Sequence, residues 1–138
     1  MHNSAHQFIK VVTGLTAGTF TGTHSGPAID CRGFREALVH FNVGTPGATT
    51  DNAVVLTMQE SPSTTAGSFA AITGASIAIA SANDETVHVI AIDLEPRKRY
   101  IRAQIVAAAG TDYDCGVSVD LLNADVIPVT QVNTATRV

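Results

Sequence analysis

The sequence predicts an all-β protein, an antiparallel β-sandwich of the jelly-roll-like kind. Three observations lead there. Segments of roughly four to eight residues alternate apolar and polar side chains, the period that places each set on one face of a strand. Clusters of Gly, Pro, Asn and Asp separate these segments at intervals of about 8–12 residues. No stretch carries apolar residues at helical spacing over several turns, and the alanine-rich 71–82 segment is interrupted by Gly74 and the β-branched Ile77 and Ile79. About eight short strands of this kind form a sandwich or barrel. The chain has no Trp and no tyrosine corner, which removes the support for an immunoglobulin-like arrangement.

Taken in order, the chain divides into an N-terminal arm (1–27), a sandwich body (28–123) and a C-terminal tail (124–138). Residues 1–7 are polar. Phe8–Val12 is a short β-prone run, with Phe8, Ile9, Val11 and Val12 available for contact. Thr13–Pro27 is rich in Thr and Gly and reads as an extended arm with room for an edge strand. Ile29–Arg32 opens the regular body, and Gly33 and Phe34 bend the chain. Glu36–Val43 is the clearest strand. Ala37, Val39, Phe41 and Val43 face inward, Glu36, His40 and Asn42 face outward, and Leu38 is the misfit. A turn cluster spans 44–51. Ala53–Gln59 follows, with Val54, Leu56 and Met58 inward. Ser61–Gly67 is a loop, and Phe69–Thr73 and Ser76–Ala80 are two runs broken at Gly74. Asn83, Asp84 and Glu85 form another turn.

Thr86–Leu94 is apolar on both faces, as expected of a strand covered from both sides, either under another element or at a subunit contact. Glu95 and Pro96 end it. Tyr100–Ala107 and Cys115–Leu121 alternate cleanly around turn residues Gly110, Thr111 and Asp112, which predicts a β-hairpin. Two strands alone are marginal in water, so the apolar face of this pair needs a second sheet. Val126, Ile127 and Val129 form a last apolar run, but Pro128 confines it to an edge strand or an extended tail.

The 138 residues suit one domain. A chain of this size buries roughly 68–70% of its unfolded surface and needs no covalent staples. Charged residues make up 14%, against about 25% in an average domain. That deficit points to surface covered by other subunits. A net charge of −4 is not the footprint of a nucleic-acid binder, and no apolar run is long enough to span a membrane. The N-terminus carries no apolar signal region, so synthesis in a cytoplasm is expected. Four of the eight basic residues, Arg97, Lys98, Arg99 and Arg102, stand close together. They read either as a solvated strand entry or as a docking patch for an acidic partner.

The residue pattern offers little chemistry. Cys31 and Cys115 have no metal-ligand spacing. They read as small buried side chains, with a disulfide open if their strands are neighbours. His2 and His6 have a helical ligand spacing without a helix, and His40 and His88 sit on strands that could face each other. Asp112 and Asp114 could present oxygens to calcium, but they read first as turn residues capping backbone amides. Gly22–Gly26 does not match a nucleophile elbow, and no phosphate-binding glycine loop is present. No enzyme, cofactor or metal site is expected.

Several short motifs occur in a suggestive order: Ile29-Asp30-Cys31-Arg32-Gly33-Phe34, then Ala37–Gly44, then Leu56-Thr57-Met58-Gln59-Glu60-Ser61, then Lys98-Arg99-Tyr100-Ile101-Arg102. Together they resemble a group of small structural proteins encoded in the head-gene modules of tailed bacteriophages. The resemblance covers about residues 29–122. It implies a capsid decoration, or cement, protein with a jelly-roll-like sandwich, a homotrimer on the outer surface of the virion with the major capsid protein as partner. It brings no catalytic residues. The Thr/Gly arm and the polar tail depart from the pattern and leave open which end holds the shell. A tail or head–tail joining component and a carbohydrate-binding module are the competing expectations. An aromatic content of 5% disfavours the latter.

Overall fold

The computed structural model of the protein describes residues 7–46, 54–79, 85–107 and 112–130. The strands are β1 (Lys10–Phe20), β2 (Thr23–Ser25), β3 (Ile29–Asp30), β4 (Glu36–Pro46), β5 (Val54–Ser61), β6 (Ala70–Ile79), β7 (Val87–Asp93), β8 (Tyr100–Ala107) and β9 (Tyr113–Leu122). A single 3-10 turn, Ala66–Ser68, precedes β6. One sheet has the order β1-β9-β4-β7; the other has β2-β8-β5-β6, with β3 also paired to β8.

Leaving aside the two-residue β3, eight strands remain. The first pairs with the last (β1 with β9), the second with the seventh (β2 with β8), the third with the sixth (β4 with β7) and the fourth with the fifth (β5 with β6). Such nested pairing is a long antiparallel ribbon rolled into two facing sheets, the jelly-roll solution to the edge problem. The all-β sandwich expected from the sequence is the fold observed.

Strand alternation builds the core as expected. Ala37, Val39, Phe41 and Val43 of β4 and Val54, Leu56 and Met58 of β5 are buried. So are Ile101, Ala103, Ile105 and Ala107 of β8, and Cys115, Val117, Val119 and Leu121 of β9. Leu38, the misfit, lies on the outer face of its sheet, in register with Asp120 and Ala91.

Four expectations are corrected. First, β8 and β9 do not form a hairpin. β8 bonds to β2, β3 and β5, and β9 bonds to β1 and β4. Alternation fixes which face of a strand is buried, not its partner. Placing the two strands in opposite sheets buries both apolar faces against each other.

Second, the segment 1–27 is not an arm set apart from a body beginning at 28. β1 runs the length of β9, and β2 pairs with β8. Leu15 is buried, and Val12 and Phe20 pack on the core. The strand reads as a linker because register shifts on either side of Leu15 break its alternation. Its glycines are packing points. A Cβ on Gly14 would stand 2.8 Å from Val117 Cγ1, and one on Gly26 would stand 1.7 Å from the Gly14 carbonyl oxygen.

Third, the two runs around Gly74 are one strand. Thr57 pairs with Ser76 and Gln59 with Ala71, so the intervening residues of β6 bulge, with Gly74 at φ +83°. Fourth, β4 continues past Val43 to Pro46 through an irregularity in its pairing with β9. Gly44 permits this, since a Cβ there would meet Asp114 at 3.1 Å. Residues 47–51 of the turn cluster, Asn83, Asp84, Gly110, Thr111, His2, His6 and the segment 131–138 lie outside the described residues.

Candidate functional site

Two of the four residues of the basic run, Arg97 and Arg99, are ion-paired. Arg97 Nη1 lies 3.6 Å from Glu60 Oε1, and the Lys98 backbone N–H donates to Glu60 Oε2 at 2.9 Å. Arg99 donates twice to Asp30, at 3.0 and 2.7 Å, and its guanidinium lies 4.8 Å from the Tyr100 ring centroid. The hydrogen bonds from Arg99 hold the Asp30 carboxyl below its ordinary value against a smaller upward push from burial.

Arg102 stands apart from the other three. β8 points it outward, its Nε donates to Gln59 Oε1 at 2.7 Å, and its guanidinium lies 4.2 Å over the Phe69 ring. Gln59 Nε2 donates to Gln104 Oε1 at 3.0 Å, and Gln104 Nε2 donates to Ser25 Oγ at 3.2 Å. The outer face of the β2-β8-β5-β6 sheet therefore carries a polar ladder whose members satisfy one another, beside Val106, which is 43% exposed.

The opposite outer face mixes polar and apolar side chains, and its exposed valines lie on the two outermost strands, β1 and β7. In the β1-β9-β4-β7 sheet, one cross-strand row is Val11, Asp120, Leu38 and Ala91; the next is Thr13, Ser118, His40 and Val89. Val11, Val87 and Val89 are 51%, 57% and 52% exposed. His40 Nε2 lies 3.1 Å from Asp120 Oδ2 in the middle of this face. The strand expected to be covered on both faces is thus an edge strand within this chain: Ile92 and Leu94 are buried, while Val87 and Val89 are exposed. His88 is in register with Phe41, on the inner face, so His40 and His88 do not face each other.

The first and last parts of the described residues meet. The Val129 backbone N–H donates to the Gln7 carbonyl at 3.0 Å, and Gln7, Phe8, Ile127 and Pro128 line a small cleft of about 200 Å³. Phe8, Ile9 and Val129 are half-buried; Val126 and Ile127 are 78% and 52% exposed. The tail is anchored at the bend, where the Asp125 N–H donates to the Gly33 carbonyl at 2.8 Å and Arg35 Nε donates to Asp125 at 3.2 Å. Residues 124–130 are bends and irregular backbone rather than strand, in keeping with Pro128. Alternation could not have revealed this meeting, because the tail docks through backbone groups on a glycine bend.

The remaining sequence-level candidates resolve as structural contacts. Cys31 and Cys115 are free thiols, both buried. Burial pushes the Cys31 thiol up to about 12 and the Cys115 thiol up to about 11, so both are inert near neutrality. Asp114 accepts from Thr19 Oγ1 at 2.5 Å, and Asp112 accepts from Thr21 Oγ1. These bonds tie β1 and the segment after it to the start of β9. Gly22–Gly26 holds β2, and His24 Nε2 lies 2.9 Å from the Thr21 carbonyl. Among the described residues, no three His, Cys, Asp or Glu side chains converge as metal ligands.

No protein-family model and no curated protein matches the chain. Solved structures do. The chain is similar to YomS, an SPBc2 prophage-derived protein, at 14% identity over 83% of this chain and 93% of that one, with a TM-score of 0.51. It is also similar to VP2 from the infectious bursal disease virus subviral particle, at 10% identity over 91% of this chain, with a TM-score of 0.52. The match spans 35% of the VP2 chain. At these identities the likeness is one of fold.

Proposed function

We propose that the protein is a structural component of a tailed-phage virion: a decoration protein that binds the outer head surface and bridges subunits of the major capsid protein. On this reading it has no catalytic role and uses no cofactor. The observation that carries it is the pair of exposed valines on the edge strand β7. One sheet presents a self-satisfied polar ladder beside Val106, and the other presents Val11 on β1 and, at its opposite edge, Val87 and Val89 on β7. Exposed apolar strand faces and regular edges are what association covers. A homotrimer with the valine face at its subunit contacts accounts for both that face and the low charge fraction. The motif order shared with phage head proteins and the fold shared with a prophage-derived protein support the same role.

The test uses purified heads lacking the protein. Heads given the protein should bind it, show three-fold-related density in a reconstruction, and retain DNA to a higher temperature than bare heads. A monomer at high concentration that neither binds heads nor protects them would sink the proposal. Density in a six- or twelve-fold ring on the tail axis would transfer the protein to the joining apparatus, and glycan binding without head binding would make it a receptor module.

A further inference from the structure

The surface beside the Gln7–Val129 contact carries a charge pattern of its own. A cleft of about 350 Å³ lies between the bend and the tail, walled by Phe34, Val126 and Val129 and bordered by Lys10 and Arg32. A second cleft, of about 310 Å³, shares Lys10 and is walled by Val12. The two acids on these walls are already engaged by arginines that do not line the clefts. Asp125 accepts from Arg35 at 3.2 Å, and Asp30 accepts from Arg99 at 2.7 and 3.0 Å. The two cations on the walls, Lys10 and Arg32, make no ion pair among the described residues. The clefts are thus largely apolar in their walls, and their rim carries two cations that are in no ion pair among the described residues.

We propose that they form one docking trough for an extended, acidic segment of a partner polypeptide, with apolar side chains set into the walls and carboxylates on Lys10 and Arg32. An extended strand alternates its side chains between two directions, which matches a trough with an apolar floor and a cationic rim. A sugar chain fits less well: Phe34, the aromatic ring on these walls, packs against the core and offers no stacking platform. This inference rests on the proposed attachment to a shell, since it names the chemistry by which the shell protein would be held.

The probe is a fluorescein-labelled peptide of alternating glutamate and leucine, about eight residues long and so roughly 26–29 Å when extended. Its anisotropy is followed with the full chain at low ionic strength. Binding should weaken at least about tenfold when glutamine replaces glutamate in the peptide. Lys10→Gln and Arg32→Gln should each cost about three- to tenfold, and more together. Unchanged melting of Arg32→Gln, whose side chain is exposed, separates lost binding from lost folding. Equal binding of the glutamine peptide, equal binding by the double variant, absence of binding, or capture of heparin in place of the peptide would each overturn the trough. Bare heads supply the second arm. Heads that take up the wild type and the double variant equally would refute the trough and leave the decoration role standing. Peptide binding that depends on Lys10 and Arg32, without head binding, would do the reverse.

Discussion

Gly26→Ala probes whether the first 27 residues are an appendage or part of the sandwich. The new Cβ would lie 1.7 Å from the Gly14 carbonyl oxygen and 2.8 Å from its carbon. Both are backbone atoms, so no side chain can swing away. Gly26 is also fixed from the other side, because its N–H donates to the Ala103 carbonyl at 2.8 Å. Relieving the clash means moving β1 off β9 or breaking that bond. Overpacking costs about 1–3 kcal/mol, and a lost backbone hydrogen bond adds about 0.5–1.5 kcal/mol. The sum is roughly 2–4 kcal/mol, which for a domain of this size lowers the melting temperature by roughly 6–20 °C. Gly67→Ala is the control: nothing lies within 4 Å of its added Cβ, so its effect should be near zero or slightly stabilising. Thermal unfolding followed by circular dichroism reads both. If the two variants melt together, β1 and β2 are not integral and the linker reading of Thr13–Pro27 is restored.

Other expectations are simpler to check. Leu56→Ala, at a fully buried position, should cost about 2–5 kcal/mol in urea unfolding; a loss near zero would mean the sandwich interior is elsewhere. The buried thiols should react with a thiol reagent at pH 8 only as fast as the protein unfolds, so prompt labelling of the native protein would contradict their placement. Their raised values also set a sign. The folded state keeps both protons above pH 9, where the unfolded thiols lose theirs, so stability is whole below about 9 and falls as pH rises toward 11 and 12; Cys31→Ala and Cys115→Ala together should flatten that fall. Asp30, held low by Arg99, gives the opposite trend, with stability lost as pH falls below the ordinary carboxylate range. This pair is largely exposed, so Asp30→Asn should change stability by less than about 1 kcal/mol.

Inward and outward faces were legible wherever alternation ran unbroken, as in β4, β5, β8 and β9, because a period of two has one reading. Partnership was not. Nothing local in Tyr100–Ala107 or Cys115–Leu121 separates a hairpin from two strands in facing sheets. β1 escaped because its contacts are made by Gly14, Leu15 and a bulged register, whereas alternation assumes side chains of some size. The basic run was legible as charge but its pairing was not, since Glu60 and Asp30, the partners of Arg97 and Arg99, lie far away in sequence. The apolar residues at both chain ends were chosen separately, and only the fold brings them together.

The valine face sets a limit on how the protein associates, and that limit can be tested. A fully buried Val or Ile side chain is worth about 1.5–3 kcal/mol relative to an exposed one. Val11, Val87 and Val89 are about half exposed already. Covering all three would therefore release roughly 2–5 kcal/mol. Association costs an estimated 4–15 kcal/mol in lost freedom and ordering, so one such contact is marginal. A closed ring, in which each subunit makes the contact twice, or a shell that offers the same contact at many symmetric sites, brings the balance to the favourable side. The proposed trimer should therefore dissociate on dilution and be recovered on heads if the decoration reading holds. Val87→Asp with Val89→Asp places two charges on the β7 edge, where the monomer leaves them in water, so the melting temperature of the dilute protein should hardly move. Sedimentation at high concentration should then show a monomer, and retention on heads should drop sharply. A double variant that still sediments as a trimer and still protects heads would mean the association uses another surface, with the polar ladder around Arg102 next to be examined.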